Sequence, residues 1–220
     1  MLAYSISSHV RFAPFTLPVI LPSLKAAGIP PERIVVCVCG ARGDREVKTP
    51  LGMLSFRQHE SKVYAAFIEA LAQGPIVDWW FMLQDTCMAG PQFAQLAEQI
   101  DESKDAIGAG RAAWDPKKCI AELGAYRYSH LEAHREYIMS LVDIGLNRTD
   151  PDPNEGGLYS LADKRGFYGA GKFLRDTEPR DIYGAGTLRQ ELYFPALDLW
   201  KYQSNWGQER PKWVNQHDTP

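Results

Sequence analysis

Gln84, Asp85 and Thr86 close a run of large apolar side chains, "WWFML" at 79–83, and place a single carboxylate where a buried segment meets water. A carboxylate held by a rigid strand can coordinate Mg2+ or Mn2+, which take hard oxygen ligands and commonly use one or two protein carboxylates beside phosphate oxygens and water. The competing role for Asp85 is to cap a helix beginning near Pro91. Ser7, Ser8 and Arg11 follow another apolar stretch, and Cys39 and Gly40 a third. Such residues make turns or meet a ligand. Glu60 and Tyr64, spaced i, i+4, would border the same edge if helical, an arrangement equally ordinary for an exposed Glu beside a packed Tyr.

These positions gain meaning from the elements that carry them. Residues 2–8 are β-leaning, "PFTLPVILPSLKAAG" at 14–28 has helical spacing that Gly28 ends, and "RIVVCVC" at 33–39 reads as a strand covered on both faces. That opening is a βαβ unit. Residues 40–56, rich in charge, Gly and Pro, read as a loop over a ligand. "ESKVYAAFIEAL" at 60–71 predicts a helix, "IVDWWFML" at 76–83 a third buried strand, and "QFAQLAEQI" at 92–100 a helix after Pro91. Two strand-like segments, 105–114 and 123–129, precede a helix over 130–145. In open α/β sheets ligands bind outside the carboxyl ends of the strands, which selects Ser7, Ser8, Arg11, Cys39, Gly40, Gln84 and Asp85.

Bulk composition narrows the field. The chain has 220 residues, a net charge of −3 and 45% apolar residues, enough for one α/β domain with a full core. Its Lys and Arg are scattered, which argues against duplex nucleic acid as the main partner. The four cysteines, Cys37, Cys39, Cys87 and Cys119, lack C-x-x-C spacing, so reduced, buried thiols are expected. Cys37 and Cys39 share one strand face, which disfavours a local metal pincer. No signal peptide or apolar run of about 20 residues is present, so a cytoplasmic protein without a transmembrane segment is expected. G-x-G-x-x-G and P-loop motifs are absent.

The opening unit, "YSISSHVR" through "IVVCVCG", the helix with Glu60 and Tyr64, and "WWFMLQDT" together resemble a glycosyltransferase of the GT-A fold. The resemblance covers about the first 130 residues as an order of elements. It implies a three-layer α/β/α sandwich with a mixed, mainly parallel central sheet in a single domain over 1–220. Residues 1–104 would bind the nucleotide sugar and 105–220 the acceptor. In that family an acidic D-x-D motif holds a divalent metal against the donor diphosphate. Gln84-Asp85-Thr86 supplies one carboxylate where the family usually has two. The resemblance therefore implies Mn2+ or Mg2+ at Asp85, Gln84 near the donor sugar, and a nucleotide-sugar donor, with UDP favoured over GDP. It implies donor contacts from Ser7, Ser8, Arg11, Cys39, Gly40, Glu60 and Tyr64, and a late metal ligand at His217, where a free tail is the simpler reading.

The second half would hold a carbohydrate acceptor. Trp114, Tyr126, Tyr128, Tyr168, Tyr183, Tyr193, Trp200, Tyr202 and Trp206 can stack on sugar rings or fill a core. Lys172, Arg175, Arg180 and Arg189 are available to the departing diphosphate. An inverting transfer needs a carboxylate base, for which Asp163, Asp181 and Glu191 are candidates; Asp181 is favoured because it precedes a Gly-rich turn. A retaining transfer needs none. Two other functions compete: a nucleotidyltransferase, whose Gly-rich basic loop "SSHVRFAP" does not match, and a non-catalytic carbohydrate-binding domain.

Overall fold

The computed structural model describes residues 1–74, 77–111, 119–142, 157–172, 174–176 and 191–202. The chain opens with β1 (Leu2–His9), α1 (Ala13–Ala26) and β2 (Ile34–Cys39), which pairs in parallel with β1. All six residues of β2 are buried, as a strand covered on both faces requires. Pro14, Pro18 and Pro22 lie along the exposed side of α1. Prolines at i, i+4 spacing withdraw the N–H groups that would bond the carbonyls one turn back, and on this face water takes their place. Leu17, Ile20, Leu21 and Leu24 carry the opposite, buried side. Gly28, at φ 90°, turns the chain out of the helix.

The segment expected as a loop over 40–56 instead forms a hairpin, β3 (Arg45–Thr49) and β4 (Gly52–Phe56). Thr49 Oγ1 accepts from Leu51 N at 3.2 Å and donates to Gly52 O at 2.8 Å, which closes the turn. β4 then pairs in parallel with β2. After α2 (Ala65–Gln73) comes β5 (Trp79–Gln84), parallel to β1 on the side away from β2. The short β6 (Cys87–Ala89) and α3 (Phe93–Ala97) follow; α3 is shorter than the predicted helix and begins two residues after Pro91.

β7 (Ala106–Gly108) and β8 (Gly124–Arg127) fall within the two predicted strand-like segments. The expected helix over 130–145 is two helices, α4 (Tyr128–Ala133) and α5 (Arg135–Ser140), broken at His134 with φ −111° and ψ 20°. The His130 and His134 rings meet edge-on across that break, 4.7 Å apart. The remaining elements are α6 (Gly157–Leu161), β9 (Arg165–Phe167), β10 (Leu174–Asp176), β11 (Glu191–Phe194) and β12 (Leu199–Tyr202).

The main sheet is mixed and eight-stranded, in the order β3-β4-β2-β1-β5-β8-β7-β9, with β3 and β8 antiparallel to their neighbours. A second, four-stranded sheet has the order β10-β11-β12-β6. Side chains alternate across the main sheet. Tyr4, Ile6, Val36, Phe81 and Leu83 join α1, α3 and Leu192, Phe194 and Leu199 of the second sheet in one cluster. Ala3, Val35, Trp80 and Met82 face α2, α4 and α5 in the other. Edge-on pairs anchor both sides, Phe81 with Phe93 at 5.3 Å and Phe67 with Tyr126 at 4.9 Å. Each such side chain stabilises the fold by about 1.5–3 kcal/mol when fully buried. Helices therefore cover both faces of an α/β sheet, and the second sheet shares the core of the α1 face.

Candidate functional site at the carboxyl ends of the central strands

Strand order reverses between β1 and β5: β1 leads to β2 on one side, while β5 joins on the other. A crevice opens at such a point, outside the carboxyl ends of the strands. The strand alternation delivers Ser8 and Asp85 to its α1 side. Ser8 Oγ donates to Asp85 Oδ2 at 2.7 Å, and Thr16 Oγ1, in the first turn of α1, donates to the same oxygen at 2.8 Å. The Asp85 N–H donates to Ser7 O at 3.0 Å. Asp85 is only 6% exposed. Burial raises its carboxyl pKa, against the lowering by the two hydroxyls and by the Lys201 charge.

A second cluster lies beside the first. The Arg11 N–H donates to His9 Nδ1 at 3.1 Å, which leaves His9 Nε2 to donate to Glu60, 3.2 Å from Oε1 and 3.1 Å from Oε2. Gly40, at φ 74°, packs against this pair: a Cβ there would overlap the His9 ring and stand 3.0 Å from Glu60 Oε1. His9, Gly40 and Glu60 thus form a wall that requires glycine at its centre.

On the α2 side, Cys37, Cys39 and Ala65 form a small buried cluster of their own. Cys39 Sγ lies 3.5 Å from His59 Nδ1 and 3.6 Å from Ser61 Oγ, and the last two are 2.9 Å apart. The neighbouring Cys37 thiol and then the His59 ring lower the Cys39 pKa, while the hydrogen bond with Cys39, reinforced by burial, raises that of Cys37. Burial opposes charge on His59, but its contact with the Cys39 sulfur prevails and raises the imidazole pKa. All four cysteines are free thiols, as expected.

Several expected donor contacts require correction. Tyr64 has no exposure and packs with Phe67 beneath the sheet, so it cannot border an open pocket. Cys39 turns its thiol inward, and only its backbone lies at the edge, where Cys39 O accepts from Val10 N. Ser7 Oγ donates to Leu83 O at 3.3 Å within the sheet. Ser8, Gly40, Glu60, Gln84 and Asp85 are brought to one edge, with Arg11 exposed beside them.

Of the candidate bases, Asp163 is exposed and precedes β9, at the sheet edge opposite Asp85. Glu191 begins β11 and pairs with Tyr202, whose N–H donates to Thr86 O at 2.9 Å; its backbone is therefore two strand spacings from the residue after Asp85. Asp181 and His217 lie outside the described residues, as do Trp114, Tyr183, Trp206, Arg180 and Arg189. Tyr126, Tyr168 and Tyr202 are core residues rather than stacking platforms. Tyr193 and Trp200 are half-buried and stack on each other at 4.1 Å. A cleft of about 390 Å3 runs beside β9, lined by Arg111, Tyr159, Arg165 and Phe167, with the Arg111 guanidinium 5.1 Å from the Phe167 centroid.

His9, Thr16, Lys201 and His59 were not singled out by sequence. Of these, only His9, adjacent to Ser8, carried a positional signal. The donor set around Asp85 does not fit a hard divalent cation. One carboxylate oxygen is taken by two hydroxyls, the nearby Lys201 charge acting on it is positive, and among the described residues Asp85 belongs to no cluster of three or more potential metal ligands. Among the described residues no helix is long and apolar enough to cross a membrane. No protein-family model matches the chain, and no curated protein matches it.

Proposed function

We propose that the protein is a glycosyltransferase of the GT-A type, which takes a sugar from a nucleotide diphosphate donor. The observation that carries this reading is the convergence of Ser8, Asp85, His9, Glu60 and Gly40 at the point where strand order reverses beside β1. The mixed sheet with helices on both faces supports it at the level of architecture. In this reading the crevice between β1 and β5 takes the nucleotide and the exposed Arg11 guanidinium meets the diphosphate. The Ser8–Asp85–Thr16 contacts hold the two strand ends and α1 in fixed relation, which keeps the crevice preorganised. The acceptor approaches from the side of the second sheet, where a carboxylate, Asp181 or Glu191, takes the proton of its hydroxyl. As that oxygen bonds to the anomeric carbon, the bond to the diphosphate breaks.

The test is a melting series with UDP-, GDP-, CMP- and dTDP-sugars, each with and without Mn2+. A ligand at 100 times its dissociation constant stabilises by about 2.7 kcal/mol. One nucleotide sugar, UDP-linked, is expected to raise the midpoint without Mn2+, and Arg11→Ala to reduce the shift. Failure of every donor to shift the midpoint overturns the reading.

A further inference from the structure

The main sheet holds a second convergence of donor atoms that the proposed transfer does not use. Cys37 Sγ, Cys39 Sγ and a His59 ring nitrogen all lie within 4.8 Å of one another. Around a tetrahedral zinc ion, with Zn–S of about 2.3 Å and Zn–N of about 2.0–2.1 Å, a sulfur and a nitrogen ligand stand roughly 3.5 Å apart. The Cys39 Sγ to His59 Nδ1 separation is 3.5 Å. We propose that Cys37, Cys39 and His59 form a Cys2His site for a thiophilic d10 cation, Zn2+ foremost.

Three observations favour an ion over an inert thiol cluster. Both cysteines are buried, and with Ala65 they form a small cluster apart from the two larger cores, which keeps both sulfurs together on one face of β2. The His59 Nε2 is buried and has no hydrogen-bond partner, so the polar contacts of this half-buried ring fall on Nδ1, 3.5 Å from Cys39 Sγ and 2.9 Å from Ser61 Oγ. The charges also balance, because two thiolates, a neutral imidazole and a divalent cation sum to zero, which permits burial. Thiolate ligands exclude Mg2+ and Mn2+, so this site is unrelated to the hard-cation chemistry considered at Asp85.

Binding releases the two thiol protons to solvent and forms two metal–sulfur bonds and one metal–nitrogen bond. Ser61 Oγ, 3.6 Å from Cys39 Sγ, is placed to donate to that sulfur, and the fourth coordination position falls to water. The ion would clip the segment carrying His59, Glu60 and Ser61 onto β2. Glu60, which holds the His9 ring, belongs to that segment, so metal occupancy would stiffen the wall of the crevice.

Co2+ added to the chelator-stripped full chain tests the site, because tetrahedral thiolate-bound Co2+ gives intense visible absorption and sulfur-to-metal charge transfer, whereas octahedral Co2+ gives neither. The expected result is a stoichiometric tetrahedral spectrum that Zn2+ bleaches. It should persist in Cys87→Ser and vanish in Cys39→Ser and His59→Gln. Zn2+ should also slow thiol modification in the native chain, a readout that needs no variant. Weak octahedral absorption, a spectrum that survives Cys39→Ser, or thiol reactivity indifferent to Zn2+ overturns the proposal. None of these readouts depends on glycosyl transfer.

Discussion

Ser8 Oγ donates to Asp85 Oδ2 at 2.7 Å, and this contact joins the ends of β1 and β5 where strand order reverses. The carboxylate that by position looks ready for a cation serves instead as an acceptor for two hydroxyls. Its consequences can be measured.

Burial raises the folded-state pKa of Asp85 above its ordinary 3.8. The group's contribution to stability is then fully present below pH 3.8 and is lost as pH rises through the folded pKa. Asp85→Asn keeps an acceptor for Ser8 and Thr16 without ionising, so its stability relative to the parent should improve as pH rises from about 4 to neutrality. Urea unfolding of both proteins across that range checks this. A pH-independent difference counts against a raised pKa.

Gly40→Ala adds a Cβ that overlaps the His9 ring at a backbone angle of φ 74°. The left-handed conformation alone is expected to cost about 1–2 kcal/mol, and the His9–Glu60 pair must separate as well. The variant should melt lower and lose any nucleotide-induced shift, whereas Gly43→Ala, with open space around its Cβ, should keep both.

Glu122 is 1% exposed at φ 54° and accepts from Tyr126 Oη at 2.6 Å, Leu158 N at 3.1 Å and Tyr159 N at 3.3 Å. Glu122→Leu leaves all three donors buried without this acceptor and should destabilise by about 3–5 kcal/mol in urea unfolding. Glu122→Gln retains an acceptor oxygen and should lose less than half as much.

Once a donor and acceptor pair is identified, Glu191→Gln should lower turnover by about 10²–10⁴-fold, the usual contribution of a general base. Asp163→Asn, altered at the opposite sheet edge, should leave turnover within about twofold, since its carboxylate cannot reach the reacting atoms. Steady-state kinetics of these two variants beside Asp181→Asn decides between the bases.

The central strands were readable because β2 and β5 are buried on both faces and so carry continuous apolar runs. β3 was not, since Arg45–Lys48 are all exposed and their charge and nearby glycines imitate a loop. Tyr64 lies away from the edge for a geometric reason. The i, i+4 argument assumes a helix through Glu60, but the helical turn begins only at Lys62. Asp85 was found by position, yet its partner Thr16 sits on α1, and no spacing rule links residues 16 and 85. A shared strand face argues against Cys37 and Cys39 forming a metal pincer on their own. That shared face is what lets both sulfurs meet His59, which arrives from the end of β4 only when β4 pairs with β2.

Tyr202 donates to Thr86, and Lys201 pairs with Cys87, so β12 lies against the chain that leaves Asp85. The surroundings of Asp85 are therefore set by two sheets at once: β1 supplies its Ser8 partner, and β12 supplies the Lys201 charge and binds the chain at Thr86.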